Sequence, residues 1–416
     1  MMAPAASSPG PPALAGGATR IAAAATMLAA LALIVAGCAT PGSGIQAGEH
    51  VTIYVSMPLR GPEAVEGRDV VGGAKLALAD AGGKVGELAV RAVYLDDTAG
   101  RGARAGWTPA VAAANARQAS EDSTAIAYLG DFDSGASRFS LPITNEARML
   151  QVSPASGAVD LVQPFLGAGD ELPKDVQPTG ERTFGRVIPN DAVQADAAAV
   201  WAKRLGARSV GALSDGSRFG DTMVTAFRQA ANGLSRTGPR QADLLYYGGT
   251  AADVPVPVKR DVSPCSGQTL IASDAMFGEA LFRRIPTGIF SCPLIPAGEA
   301  APHGVLVTSA AEDPTQLPAS GQRFVRAFGG RYGRQPGRYA AYGYEAMAVT
   351  LDSIRRAGDR GDDRDSVVDA FFDTEDRDSV LGTYSIDDVG DTTLTALAGY
   401  RVSGGRPVFA NPLRVP

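Results

Sequence analysis

The sequence is poor in the side chains that bind metals and perform nucleophilic catalysis near neutral pH. Its 416 residues include 3 cysteines and 2 histidines, and the histidines are His50 and His303. A structural zinc site takes four nitrogen or sulfur ligands, so this set leaves almost nothing from which to build one. We therefore expect no metal site and no cofactor.

The motifs of common enzyme active sites are also missing. The chain has no G-x-S-x-G nucleophile elbow, no G-x-x-x-x-G-K-[ST] phosphate loop, no G-x-G-x-x-G turn and no H-E-x-x-H pair. Neither histidine lies in a motif, so the sequence does not predict an enzyme. Acid–base catalysis by paired carboxylates needs only Asp and Glu, which number 44, and residue type alone leaves it open.

Long runs of one charge are missing as well. Lys and Arg number 38 against 44 Asp and Glu, and no stretch collects five like charges. Because nucleic-acid binding depends on clustered basic side chains, we expect no nucleic-acid partner.

The N-terminus has the features of an export signal. An uncharged tract, residues 1–19, precedes Arg20 and the apolar run 21–36, which closes as Val-Ala-Gly before Cys38. This ending is similar to the lipobox of bacterial lipoproteins, and predicts a signal peptide over 1–37, lipidation of Cys38 and a flexible tether over 38–49. The alternative is a transmembrane anchor, since the run approaches spanning length.

The remaining cysteines, Cys265 and Cys292, form an even pair in a chain predicted to be exported. A disulfide between them is therefore expected.

From Val51 onward, apolar strands alternate with amphipathic helices. This order predicts parallel βαβ units with helices on both faces of each sheet. The Pro- and Gly-rich residues 157–181 interrupt the order and a second series follows, so two α/β lobes are expected. The strand GVLVTSA and two helices come after His303, and pattern alone does not assign them to a lobe.

Two strands of the first series end in similar corners of Ser, Gly and Pro. The first corner is 130–135, GDFDSG, and the second is 153–157, SPASG. Ligands of open parallel sheets bind beyond the carboxyl ends of the strands, where free backbone amides and a serine hydroxyl accept an anion. The alternative is that Ser134 only caps the helix it opens.

These segments together resemble the type I periplasmic binding proteins, in particular the leucine/isoleucine/valine-binding family of ABC importers. The resemblance rests on MPLRGP, GGAKLALADAGG, YLDD, LGDFDSGAS, PITNEARMLQVSPASG, FGRVIPNDAVQADAAAVWAKRLGARSVGAL, SDGSRFGDTMVTAF, LLYYGG and YAAYGYEAM. It implies a two-lobed α/β clamshell with three hinge crossovers, in which each lobe is a mostly parallel sheet flanked by helices. The implied lobes are 50–181 plus 304–388 and 182–303 plus 389–416.

The resemblance also implies ligand contacts. Ser134 matches a serine that binds the α-carboxylate of the ligand. Ala155 lies in a corner whose backbone also binds the zwitterionic group of the ligand. Asp274 matches an acidic residue of the second lobe that pairs with the ligand ammonium. Tyr344 is expected to approach the cleft.

Four expected contact positions depart from the family pattern. Gly157 stands where threonine is usual, and the neighbouring Ser156 could supply the missing hydroxyl. Phe219 replaces a tyrosine, and Glu66 stands where some members have tyrosine. Thr250 stands at another position where the family has an aromatic residue. A polar group that loses its partner costs about 1–3 kcal/mol, so branched-chain specificity is in doubt.

The second lobe looks trimmed near 232–243, where the family has an additional strand and helix.

We expect an extracytoplasmic lipoprotein, monomeric and held to the membrane by lipid. It would deliver a small zwitterionic solute, such as an amino acid, to an ABC permease. The alternative hypothesis is an envelope scaffold or regulatory interaction protein whose degenerate clamshell no longer binds a small molecule.

Overall fold

The computed structural model describes residues 50–164, 173–239, 241–250, 269–277, 305–403 and 406–416, without the side chain of Ala103. The predicted signal peptide 1–37, the tether 38–49 and Cys38 lie outside the described residues. Cys265, Cys292 and His303 lie outside them too. In the described part of the chain, no helix is long and apolar enough to cross a membrane.

The first sheet has six strands in the order β2-β3-β1-β6-β7-β8. All neighbours are parallel except β2 and β3. Every residue of β1 and β6 is buried, as expected of strands covered on both faces. The strands are β1 Val51–Met57, β2 Lys84–Val85, β3 Leu88–Asp96, β6 Ala125–Leu129, β7 Leu150–Ser153 and β8 Phe184–Arg186.

The second sheet has seven strands in the order β10-β9-β11-β12-β13-β16-β17. Its first five strands are parallel, and β16 runs antiparallel to both β13 and β17. The strands are β9 Ser209–Ser214, β10 Ser235–Arg236, β11 Leu244–Gly248, β12 Thr269–Ser273, β13 Val305–Ser309, β16 Ala396–Ser403 and β17 Arg406–Arg414.

Two small antiparallel pairs complete the described strands. They are β4 Thr98–Ala99 with β5 Gly106–Trp107, and β14 Arg377–Ser379 with β15 Gly382–Tyr384.

Helices cover the sheets of both lobes, and several helix starts are capped by a side chain. Thr108 caps α2 ahead of a proline, Asn190 caps α4 and Ser217 caps α5. The helices are α1 Ala64–Asp80, α2 Pro109–Glu121, α3 Ser134–Glu146, α4 Asp191–Arg204, α5 Arg218–Ala230, α6 Ala319–Tyr332, α7 Ala340–Arg356 and α8 Arg364–Phe372.

The first-lobe core depends on close contact between α1 and α7. A Cβ on Gly73 would lie 2.0 Å from the Ala340 carbonyl oxygen, and one on Gly343 would lie 2.2 Å from that of Val70. Only glycine permits this approach, because real Cβ contacts are far longer. The second lobe has its own core, in which the rings of Phe227 and Tyr246 stack 4.1 Å apart.

The chain passes between the two sheets three times, as the predicted fold requires. The passages lie between β8 and α4, between β13 and α6, and between β15 and β16. Two strands differ from the predicted boundaries. β8 follows residue 181 but pairs with β7 of the first sheet, and β13 follows residue 303 but pairs with β12 of the second. Sequence periodicity carries no information on which sheet edge a strand joins.

The segment 232–243, which was expected to lack the family's additional strand, contains a short strand. Ser235 and Arg236 form β10, which pairs in parallel with Ser209 and Val210 at the edge of the second sheet. The described residues 232–239 and 241–243 contain no helix. The second lobe is therefore reduced here to a two-residue strand.

Candidate functional site

The two corners lie side by side at the carboxyl ends of β6 and β7. These strands are parallel neighbours, with Leu129 opposite Val152, and the Gly130 amide donates to the Val152 carbonyl at 3.0 Å. Asp133 caps α3, so Ser134 is the first residue of that helix. The strand pattern therefore predicted the position of the corners correctly.

Serine hydroxyls join the two corners to each other. Ser153 Oγ and Ser156 Oγ donate to the Asp131 carbonyl at 2.7 and 2.9 Å. Ser156 Oγ also lies 2.8 Å from Ser137 Oγ, and its side chain is fully buried. The geometry gives no support to the expectation that Ser156 supplies the missing threonine hydroxyl to a ligand, because the hydroxyl is bonded inside the lobe.

Several backbone amides that were expected to be free have acceptors. The Gly135 amide donates to Asp133 Oδ1 at 2.6 Å, and the Ala158 amide donates to Ser134 Oγ at 3.1 Å. The Ala155 and Ser156 amides both donate to Ser153 Oγ, at 3.2 and 2.8 Å. Ser134 thus holds the second corner while it opens α3, and the anion site expected from the sequence is largely filled by protein acceptors.

The structure explains why glycine stands at position 157, which the sequence did not reveal. A Cβ at this position would lie 2.3 Å from Asp191 Oδ1, and the Asp191 amide donates to the Gly157 carbonyl at 2.8 Å. The Asp191 carboxyl therefore occupies the space that a threonine would need. Burial raises the pKa of Asp191 to about 7, against the opposing charge of Arg186.

Asp274 follows β12 and accepts three hydrogen bonds. Gln194 Nε2 donates to Oδ1 at 3.0 Å, and Ser309 Oγ donates to Oδ2 at 3.0 Å. The third donor is the Tyr339 hydroxyl, 3.1 Å from Oδ2. Tyr339 immediately precedes α7 of the first lobe, so this bond crosses between the lobes. Its ring packs edge-on against Phe132 of the first corner, with centroids 4.8 Å apart.

A partly buried arginine lies beside this crossing. The Arg338 guanidinium pairs with Glu66 at 3.3 Å and lies 4.2 Å from the ring centroid of Phe277, which follows Asp274 in the second lobe. Arg338 Nε is buried and has no hydrogen-bond partner among the described residues. Glu66 is therefore bound to a cation, where the family comparison suggested a rim contact.

A second crossing between the lobes is ionic. Asp160, in the first lobe beyond the second corner, pairs with Arg138 of α3 and with Arg218 of α5. Asp160 is buried, whereas the Arg218 side chain is 60% exposed.

The other expected contacts lie apart from the corners. Phe219 packs against the core of the second lobe. The Thr250 amide donates to Asp215 Oδ2 at 2.9 Å. The Tyr344 hydroxyl donates to Asp80 Oδ2 at 3.0 Å, at the end of α1 farthest from Glu66. The geometry therefore gives no support to the prediction that Tyr344 approaches the cleft.

Four carboxyl groups near the first corner were missed by the sequence reasoning. They follow or lie between the ends of β1, β3 and β6, and we call them the acidic pocket: Glu63, Asp97, Asp131 and Asp133. A signal was available, since the strands β3 and β6 each end next to aspartates. In the described chain, no three His, Cys, Asp or Glu are arranged to hold a metal ion.

The chain has two lobes, each built on a largely parallel sheet. Polar side chains lie at the strand ends, and hydrogen bonds join the lobes. This is the fold of a type I periplasmic binding protein. Residues 50–247 match the family model described as periplasmic binding protein. The resemblance inferred from the sequence motifs is confirmed. This family is a class of binding proteins, in agreement with the prediction of a non-enzyme.

Solved structures agree on the fold. A leucine-binding protein LivK from Thermotoga maritima superposes with a TM-score of 0.66 at 22% identity, covering 88% of this chain and 99% of that one. An ABC transporter substrate-binding protein from Desulfitobacterium hafniense, in complex with Leu, superposes with a TM-score of 0.64 at 20% identity. The match covers 87% of this chain and 100% of that one.

A solute-binding protein of an ABC transporter from Rhodopseudomonas palustris, in complex with 3,4-dihydroxybenzoic acid, gives 0.64 at 15% identity, covering 88% of this chain and 98% of that one. No curated protein sequence matches the chain.

Proposed function

We propose that this protein is an extracytoplasmic solute-binding protein that delivers a small polar, amino-acid-like solute to an ABC import permease. The solute would sit between the lobes, at the carboxyl ends of the strands. We further propose that the chain works as a monomer and is held to the outer face of the cell membrane by lipid on Cys38. The family match and the fold support the solute-binding part.

One observation carries the proposal. Phe132 of the first corner packs on Tyr339, and the Tyr339 hydroxyl donates to Asp274 of the second lobe. Polar groups of both lobes therefore converge on one place, and a solute that replaced this hydroxyl would bind both lobes at once. Hinge closure around a ligand works through such shared contacts.

Calorimetric titration of the purified full-length protein tests the proposal. The panel should contain neutral and basic amino acids, amides, amines and aromatic acids. We expect one class to bind at one site per chain, and Asp274→Asn to weaken that binding by about tenfold or more, as expected for a lost charged hydrogen bond. The matched control is Asp221→Asn, an exposed position in the first turn of α5.

The alternative function, an envelope scaffold, also has an observation in its favour. Asp274 already accepts three protein hydrogen bonds, and several corner amides are engaged within the first lobe. If no member of the panel binds to the wild type, solute binding is contradicted and the scaffold hypothesis is supported.

A further inference from the structure

The corners of the first lobe carry protein carboxylates where an anionic ligand group was expected. Asp133 Oδ1 accepts the Gly135 amide at the start of α3, and Asp191 Oδ1 stands against Gly157. A ligand carboxylate at either corner would lie close to a protein carboxyl group, and repulsion between the two raises the free energy of the complex whenever both are ionised. The first lobe is therefore poorly suited to an anion at these two positions.

Asp97 lacks the partners that a buried carboxyl needs. Its side chain is 0% exposed, and neither Oδ1 nor Oδ2 has a hydrogen-bond partner among the described residues. An isolated buried carboxylate is among the most expensive groups in a protein interior. Asp97 therefore requires a proton or a cation.

The carboxyls of the acidic pocket lie at neighbouring strand ends, because Asp97 follows Asp96, which is opposite Met57 of β1, and Asp131 follows β6, which also pairs with β1. Burial, followed by the charges of Asp131, Glu63, Asp96 and Asp133, raises the pKa of Asp97 to about 8. Burial, followed by the charges of Asp133 and Glu66, raises the pKa of Glu63 to about 7. No arginine or lysine is among the groups that shift these two pKa values.

The four carboxyls differ in exposure. Glu63 and Asp133 are both partly exposed, whereas Asp97 and Asp131 are buried. Asp131 is already bonded to the hydroxyls of Tyr128 and Ser140. Asp97 is therefore the buried member with no hydrogen-bond partner among the described residues, and Glu63 and Asp133 are the members that solvent reaches.

We propose that the acidic pocket binds the cationic end of the transported solute, an ammonium or guanidinium group, so that the ligand is a basic amino-acid-like compound. The inference rests on the proposed solute-binding function. A nitrogen cation supplies N–H donors to carboxylate oxygens and balances their charge in one step. The orientation is the reverse of the one expected from Ser134, because the cation rather than the anion would lie on the first lobe.

Calorimetry with matched ligand pairs tests this inference. Arginine is compared with citrulline and lysine with norleucine, because each pair keeps the chain length and removes the charge. Calcium and magnesium chlorides form a separate arm. We expect the charged member of each pair to bind about tenfold or more tightly, the scale of a charged hydrogen bond, and neither metal salt to bind.

Two variants locate the effect. Glu63→Gln and Asp133→Asn remove one charge each, and asparagine caps a helix as well as aspartate does, so α3 keeps its start. Each variant is expected to lose about tenfold or more in affinity for the basic ligands. The matched control is Glu146→Gln, an exposed residue at the other end of α3, which should leave affinity unchanged.

The outcomes distinguish failure of this inference from failure of the proposed solute-binding function. Equal or tighter binding of citrulline and norleucine, or binding of leucine or benzoate alone, overturns the inference and leaves the proposed function standing. Binding of the metal salts without the organic cations also overturns the inference. Failure of every solute contradicts the proposed function itself.

Discussion

Gly157 and Asp191 explain one departure from the family pattern by a contact between residues far apart in the chain. The Asp191 carboxyl fills the space beside the Gly157 α-carbon, where a Cβ would lie 2.3 Å from Oδ1. Asp191 begins α4 just after the first passage between the lobes. The side chain at 157 is therefore limited by the second lobe's first helix.

We predict that Gly157→Thr lowers the free energy of unfolding by about 1–3 kcal/mol, the usual cost of overpacking. Adding Asp191→Ala to the same chain should recover most of this loss, because the side chain that clashes is gone. Urea unfolding of both single variants and the double variant measures the coupling free energy between positions 157 and 191. If the double variant is no more stable than Gly157→Thr, the proposed contact is wrong.

The position of the corners could be predicted from the sequence, but their bonding could not. Buried apolar strands ending in Ser, Gly and Pro locate residues 130–135 and 153–157 at one sheet edge. Which hydroxyl turns inward depends on the spacing between neighbouring strands, so the inward bonds of Ser156 could not be predicted. The Asp191 contact depends on how the chain enters the second lobe after β8, which no local pattern records.

The contact between α1 and α7 shows how two helices organise the first lobe. Gly73 and Gly343 remove the side chains at the crossing, so backbone of one helix lies against backbone of the other. The alternation of strands and helices predicted a helix after β1, and α1 begins at Ala64. Its first turn, residues 64–67, places Glu66 beside Arg338.

We predict that Gly343→Ala lowers the free energy of unfolding by about 1–3 kcal/mol, since the added methyl must force the helices apart. The matched control is Gly330→Ala in α6, where a Cβ would meet nothing within 4 Å. The control should stabilise the protein by about 0.5–1 kcal/mol, the helix preference of alanine over glycine. Thermal unfolding of the two variants is the measurement, and equal effects would contradict the packing described.

Across both lobes, the interior holds several carboxyls that retain protons to unusually high pH. Burial raises the pKa of Glu63 and Asp131 to about 7 and that of Asp97 to about 8. In the unfolded chain these groups titrate near pH 4. Between these values the folded state binds more protons than the unfolded state, so the free energy of unfolding falls as pH rises.

We therefore predict a higher melting temperature at about pH 5.5 than at about pH 8, with the loss complete only above the pKa of Asp97. Circular dichroism melts in matched ionic strength provide the measurement. The double variant Glu63→Gln, Asp97→Asn should show a smaller difference, since two of the titrating groups are gone. A melting temperature that rises toward pH 8 in the wild type would contradict the protonation described.

A crystal structure of the protein with the tightest-binding solute of the calorimetric panel tests the central claim most directly. The account predicts one solute between the lobes, with its cationic nitrogen within hydrogen-bond distance of Glu63 or Asp133. It also predicts that the hydrogen bond from Tyr339 to Asp274 is replaced or rearranged. A solute bound elsewhere, or one whose carboxylate occupies the acidic pocket, would contradict the account.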